Sequence, residues 1–179
     1  MTFEGPVEKV PKLDAAKRQL RTGIILFFED ADTVSVHTLT SAAQELLRDL
    51  LKVQGRGSFL KDSDLIRPEA RKQFVSLVNR AQNFFKHADR DRDDVLDFNP
   101  EVTAFCLFDC ADMYQKLTGR NLREAAIFLV WFGLKYPDLL VPGPFANMFE
   151  DFRGAAGGTL DKRFFRSMIA LPYQIPNTD

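Results

Sequence analysis

Only two histidines, His37 and His87, are present in this 179-residue chain to trade protons near neutral pH. His87 has the more suggestive company. Arg80, Asn83 and His87 are spaced i, i+3, i+7, so on one helix they lie within about 60° of one another. The same arithmetic sets them on the side away from Phe74, Val78 and Phe85. A guanidinium grips phosphate through paired N–H donors, and an imidazole gives or takes a proton. With an amide to orient one of them, the three could cleave a phosphodiester without a metal, the base acting on the ribose hydroxyl and the cation on the phosphorane. The competing account is that three polar residues form the wet face of an amphipathic helix.

The other groups with chemical potential fit known sites less well. His37 falls in the first turn of a helix, about 160° from the seam that begins at Leu39. It is expected to face away from that contact, exposed or hydrogen-bonded. Asp89-Arg90-Asp91-Arg92-Asp93-Asp94 opens like a calcium-binding loop. The sixth position, which needs Gly, is Asp94, and the twelfth, which needs a bidentate Glu, is Pro100. A solvated, self-paired charged turn is expected there. Cys106 and Cys110 share a helix face, but two ligands do not make a zinc site, and two reduced, buried thiols are expected. No metal site and no cofactor follows from any of these residues.

Composition narrows the class. The net charge is −1, from 24 basic and 25 acidic residues. A protein that coats itself in duplex nucleic acid shows a basic excess, so any nucleic-acid contact here must be local. There are 17 Phe against one Trp and three Tyr, and rings without a polar handle belong inside. Met1–Lys12 carries Glu4, Pro6, Glu8 and Lys9 where a secretory leader would have an apolar run. The longest apolar stretch, Ala125–Leu134, is about half of a membrane span. A cytoplasmic protein without a membrane segment is expected.

The elements that must position these residues are helical. Residues 1–11 read as a flexible arm and 12–179 as a single helical domain. Leu13, Ala16, Leu20, Ile24 and Phe27/Phe28 form one stripe of a helix ending near Asp30. A second helix, capped by Asp32, Thr33 or Ser35, carries the seam Leu39, Ala43, Leu46, Leu50 and Val53 and stops at Gly55 and Gly57. After a connector over 55–66, Pro68 opens a third helix reaching about Ala88. Asn99-Pro100-Glu101 starts a fourth, which Gly119 ends. Asn121 with Glu124 predicts a boxed start for a fifth over about 122–136. That helix is apolar nearly all round and should be the most buried. Pro137, Pro142 and Pro144 break the chain after it, leaving short amphipathic pieces over Phe145–Phe152 and Asp161–Ile169. The whole is an all-α, single-domain bundle of about five main helices plus short C-terminal ones.

Within that frame the segment Asn83-Phe84-Phe85-Lys86-His87, followed by a polar turn and another helix, resembles the end of the signature helix of HEPN domains. Those are all-helical bundles marked by an Arg, a short spacer and a His, often with a polar residue directly after the Arg. Here Arg80 and His87 enclose six residues, and Gln82 stands before Asn83 where the family more often has its Arg. The resemblance implies a metal-independent endoribonuclease, or a nucleotide- or RNA-binding relative, acting as a homodimer with the motif at the interface. His87 would then be the general acid or base, Arg80 would steady the phosphate, and Asn83 would orient one of them. The alternative is a non-enzymatic helical interaction or small-ligand-binding protein, with the apolar fifth helix and the Phe-rich tail as its working surface.

Overall fold

The computed structural model describes residues 5–63, 66–89, 92–139, 150–151, 153–154 and 157–171. Helices make up 71% of these residues and no strand occurs among them. The main helices are α1 (Lys12–Phe28), α2 (Thr33–Val53), α4 (Pro68–Phe84), α5 (Glu101–Thr118) and α6 (Arg123–Lys135). A single turn, α3 (Phe59–Asp62), sits in the connector, and α7 (Lys162–Ala170) follows near the C-terminus. Phe145–Phe152, expected as a short helix, lies largely outside the described residues.

Local signals set most boundaries. Asp32 accepts a hydrogen bond from the Ser35 N–H at 2.8 Å and so caps α2. Pro68 occupies the first turn of α4, where its missing N–H costs nothing. The Asn99 side chain accepts from the Glu101 N–H at 3.0 Å at the start of α5, and Gly119, at φ 71°, ends that helix in the left-handed conformation. The start of α6 differs from expectation. Leu122, whose side chain has no acceptor, holds the cap position; Asn121 lies one residue outside it, and Glu124 pairs with Arg21 of α1 at 2.8 Å.

α1, α2, α5 and α6 form the central bundle, and α7 closes the groove between α1 and α6. α1 and α2 make an antiparallel pair through a tight turn. Gly23 lets them approach α5 together, since a Cβ there would lie 3.2 Å from Thr40 Oγ1 and 3.6 Å from Leu107. The core holds Leu20, Ile24, Phe28, Leu47, Leu107, Phe128 and Phe165, all nearly without solvent contact. Each such side chain stabilises the fold by roughly 1.5–3 kcal/mol. Phe28 stacks on Phe165 of α7 and Phe108 on Phe132 of α6, with ring centroids 5.7 and 4.8 Å apart. α6 packs against α1, α5 and α7, yet Ala126 is exposed and Ile127, Leu129 and Val130 are only partly covered.

The buried face of α2 is rotated from the one predicted. Val36, Thr40, Ala43, Leu47 and Leu51 are inside, whereas Leu39, Leu46 and Leu50 are half-buried and Val53 is 87% exposed. The helix is covered on two sides, by α1 and by α5, and the α5 side is polar. α4 is held more lightly: Val78 and Ala81 are its only buried residues. It also ends at Phe84, before the expected Ala88, and the chain turns there so that Phe85 and Phe98 meet edge to face at 5.1 Å.

Candidate functional site

Arg80 and Asn83 lie on the exposed side of α4, and His87 lies three residues past its end, also exposed. The His87 N–H still reaches the Asn83 carbonyl at 3.0 Å, so the turn keeps His87 near the helix without extending it. None of the three side chains has a hydrogen-bond or ion-pair partner among the described residues. Arg80 borders a narrow cleft of about 20 Å³ with Leu96, Asp97 and Asn99, and neither Asn83 nor His87 does. Donors are available to a large substrate here, but among the described residues no wall encloses a phosphate.

His37 points inward. It is fully buried, its Nδ1 shares a hydrogen bond with Thr103 Oγ1 at 3.0 Å, and Phe85 and Phe98 close over its ring at 5.8 and 5.0 Å. Burial, reinforced by the positive Lys61 and Lys86, pushes its pKa down to about 4, so at neutral pH the imidazole is uncharged. His37 Nε2, Ser41 Oγ and Gln44 Oε1 follow one stripe of α2 and are buried without a hydrogen-bond partner among the described residues. Next to them Asp109 of α5 accepts from Gln44 Nε2 at 2.8 Å, from Ser58 Oγ at 2.6 Å and from the Leu60 N–H at 3.2 Å. Burial raises the Asp109 pKa, and those three donors hold it back. Lys61, its side chain 1% exposed, pairs with Glu45 at 2.7 Å. Cys106 and Cys110 are free, buried thiols beside this seam, and burial pushes Cys106 up to about 12. A thiol that resists ionisation to that degree is no nucleophile at neutral pH. This seam ties α2, α3 and α5 together.

A deeper, half-open cavity lies at the end of the bundle where α1 and α6 finish and α2, α5 and α7 begin. It measures about 250 Å³. Phe27, Trp131 and Tyr136 supply aromatic walls, with Phe27 and Trp131 edge to face at 4.9 Å. Four charged residues line it: Asp30, Glu101, Lys135 and Lys162. Tyr136 donates its hydroxyl to Glu101 Oε1 at 2.7 Å, and burial together with that carboxylate raises the phenol pKa, so the ring stays neutral. Lys162 binds Asp30 at 2.7 Å and places its ammonium 3.9 Å from the centre of the Phe27 ring. Asp30 is held there by a left-handed backbone, φ 50°, the only non-glycine residue with positive φ among those described. Thr103 connects the two regions, lining the cavity while bonded to His37.

Sequence reasoning passed over the cavity because its residues come from five helix ends far apart in the chain. The sole tryptophan, Trp131, five residues before Tyr136-Pro137, is the one hint in the sequence. No metal-binding cluster of His, Cys, Asp and Glu occurs among the described residues, and no helix among them is long and apolar enough to cross a membrane. No protein-family model, curated protein or solved structure matches this chain.

Proposed function

We propose that the chain is a non-enzymatic helical protein that binds a small organic ligand in the cavity at the end of its bundle. The observation that carries this is the half-open hollow itself: about 250 Å³ lined by three aromatic rings, with charged groups at its edge. Ligand sites are concave, mostly apolar and furnished with a few fixed polar groups. At the roughly 30 Å³ a water occupies in the liquid, the volume admits about eight non-hydrogen atoms. Because Trp131 is the only tryptophan, its fluorescence reports on this cavity alone. Binding of a small-molecule library is expected to give saturable Trp131 changes for some members, lost in Tyr136→Ala. A library that leaves Trp131 untouched at millimolar concentration would sink this function.

A second reading keeps the phosphate chemistry of Arg80, Asn83 and His87. It is supported by three exposed and uncommitted polar side chains at one end of α4. In that case a homodimer would bring two α4 faces together to build the enclosure that one copy lacks, and RNA would be the substrate. The test is RNA cleavage in the presence of EDTA by the wild type and by His87→Ala, with the mass in solution measured alongside. Equal activity of the two proteins, or a monomer, would remove this reading.

A further inference from the structure

We infer that the ligand of the bundle-end cavity is an organic ammonium cation, and that Lys162 is its internal stand-in. This rests on the small-ligand reading above. The cavity already shows how it holds an ammonium: the Lys162 Nζ lies 3.9 Å from the Phe27 ring centre and 2.7 Å from Asp30. A cation over an aromatic face is attracted by the ring's quadrupole, most strongly where water is displaced. Trp131 and Tyr136 also line the cavity, their ring centroids 6.4 Å apart and planes at 90°. Glu101 supplies a second carboxylate, with one oxygen taken by Tyr136.

The geometry argues against an anion. Helix starts attract anions through free N–H donors, and the first residues of α2, α5 and α7 all line the cavity. Yet at each start the chain's own side chain takes an N–H: Asp32 at α2, Asn99 at α5 and Asp161 at α7, at 2.8, 3.0 and 2.9 Å. Two of those caps are carboxylates, which would also repel an incoming anion. The last carbonyls of α1 are likewise taken, those of Ile25, Leu26 and Phe27 accepting from the Glu29, Ala31 and Asp30 N–H groups, so the helix ends leave the choice to the side chains. Two lining charges oppose this assignment: Lys135, which is solvent-exposed, and Lys162, whose ammonium the incoming cation would have to displace from Asp30 and Phe27.

Asp30 adds a second line of support. A non-glycine residue in the left-handed region is a strained choice at a turn where glycine would serve. Only a carboxylate at that position pairs with Lys162 and fixes a negative charge at the cavity edge.

Three probes of one shape separate the possibilities: choline, its neutral isostere with a carbon in place of the quaternary nitrogen, and the anion pivalate. Trp131 fluorescence and calorimetry are the readouts. Choline is expected to bind saturably and more tightly than the neutral isostere, by roughly three- to thirtyfold, the range of a cation over aromatic faces. Lys162→Ala, which removes the competing internal ammonium, is expected to tighten choline at least threefold. Glu101→Gln is expected to weaken choline while leaving the neutral isostere unchanged. A merely structural Lys162 would lower the melting temperature in Lys162→Ala and leave choline affinity where it was, which overturns the inference. Preference for pivalate, or loss of it on Lys135→Ala, overturns the ammonium assignment and leaves the small-ligand reading standing. Silence from all three probes in both the wild type and Lys162→Ala overturns both.

Discussion

Replacing His37 by Asn removes a titrating group from the interior while keeping a polar atom within reach of Thr103, and the consequence is a change in how stability depends on pH. In the folded chain burial holds the imidazole neutral down to about pH 4, against 6.5 for the free side chain. Below pH 6.5 the unfolded chain takes up a proton that the folded chain refuses. Stability therefore falls with falling pH from 6.5 to about 4 and levels off beneath that. At about 1.4 kcal/mol for each tenfold change in proton activity, that gap comes to about 3 kcal/mol. Asp109 acts in the opposite direction, because its raised carboxyl protonates first in the folded state; it is present in both proteins and cancels from their difference. The variant also loses ring contacts with Phe85 and Phe98, a pH-independent cost of about 1–3 kcal/mol. Urea unfolding at closely spaced pH values from 4 to 8 reads both effects. The wild type should lose its advantage over the variant as the pH drops, by about 3 kcal/mol in all. Parallel curves would refute the neutral, buried state of His37.

Other substitutions test other parts of the account. Phe128→Ala, at a fully buried position between α1 and α6, should cost about 3–5 kcal/mol in chemical denaturation. Asp30→Gly should stabilise the chain by roughly 0.5–1 kcal/mol, since relief of the left-handed strain exceeds the worth of one exposed ion pair, while choline binding weakens; lower stability would show that Asp30 is not strained. Asp109→Ala leaves Gln44, Ser58 and the Leu60 N–H without their acceptor and should cost about 3 kcal/mol or more, with early exchange of the α3 amides as its signature. Gln44→Ala, which deletes only one of the three donors, should cost about 1–2 kcal/mol in the same assay.

The helix boundaries that sequence gives well are those fixed within a few residues. Asp32, Pro68, Asn99 and Gly119 act through their own neighbours, so their signals survive folding unchanged. The errors come from distant partners. α6 starts one residue later than the box requires, with Leu122 at its cap, and Glu124 turns to Arg21 of α1. α4 stops short of Ala88 because Phe85 is drawn over His37, which lies in a different helix. With the Leu39 seam as the centre of burial, helical periodicity places His37 on the outside. In fact polar residues on α2 are inside, matched to Thr103 and Asp109, which lie 66 and 65 residues along the chain from their partners. Hydrophobic periodicity cannot see a polar interior of that kind. The spacing of Arg80, Asn83 and His87 was legible, but a shared helix face is not an enclosure. The hollow at the end of the bundle is concave, and its walls are assembled by topology rather than by any local pattern.

The central claim, that this chain binds a small ligand at the end of its bundle, is tested most directly by amide NMR with the Trp131 indole N–H as the marker. That group donates to the Leu160 carbonyl at 3.3 Å, beside the cavity. Titration with choline is expected to shift the Trp131 indole and the amides of Thr33, Glu101 and Ala104 along one saturable curve, while Arg80, Asn83 and His87 stay still. Unmoved cavity resonances, with shifts at Arg80, Asn83 and His87 when an RNA fragment is added instead, would contradict the account and place the working surface on α4.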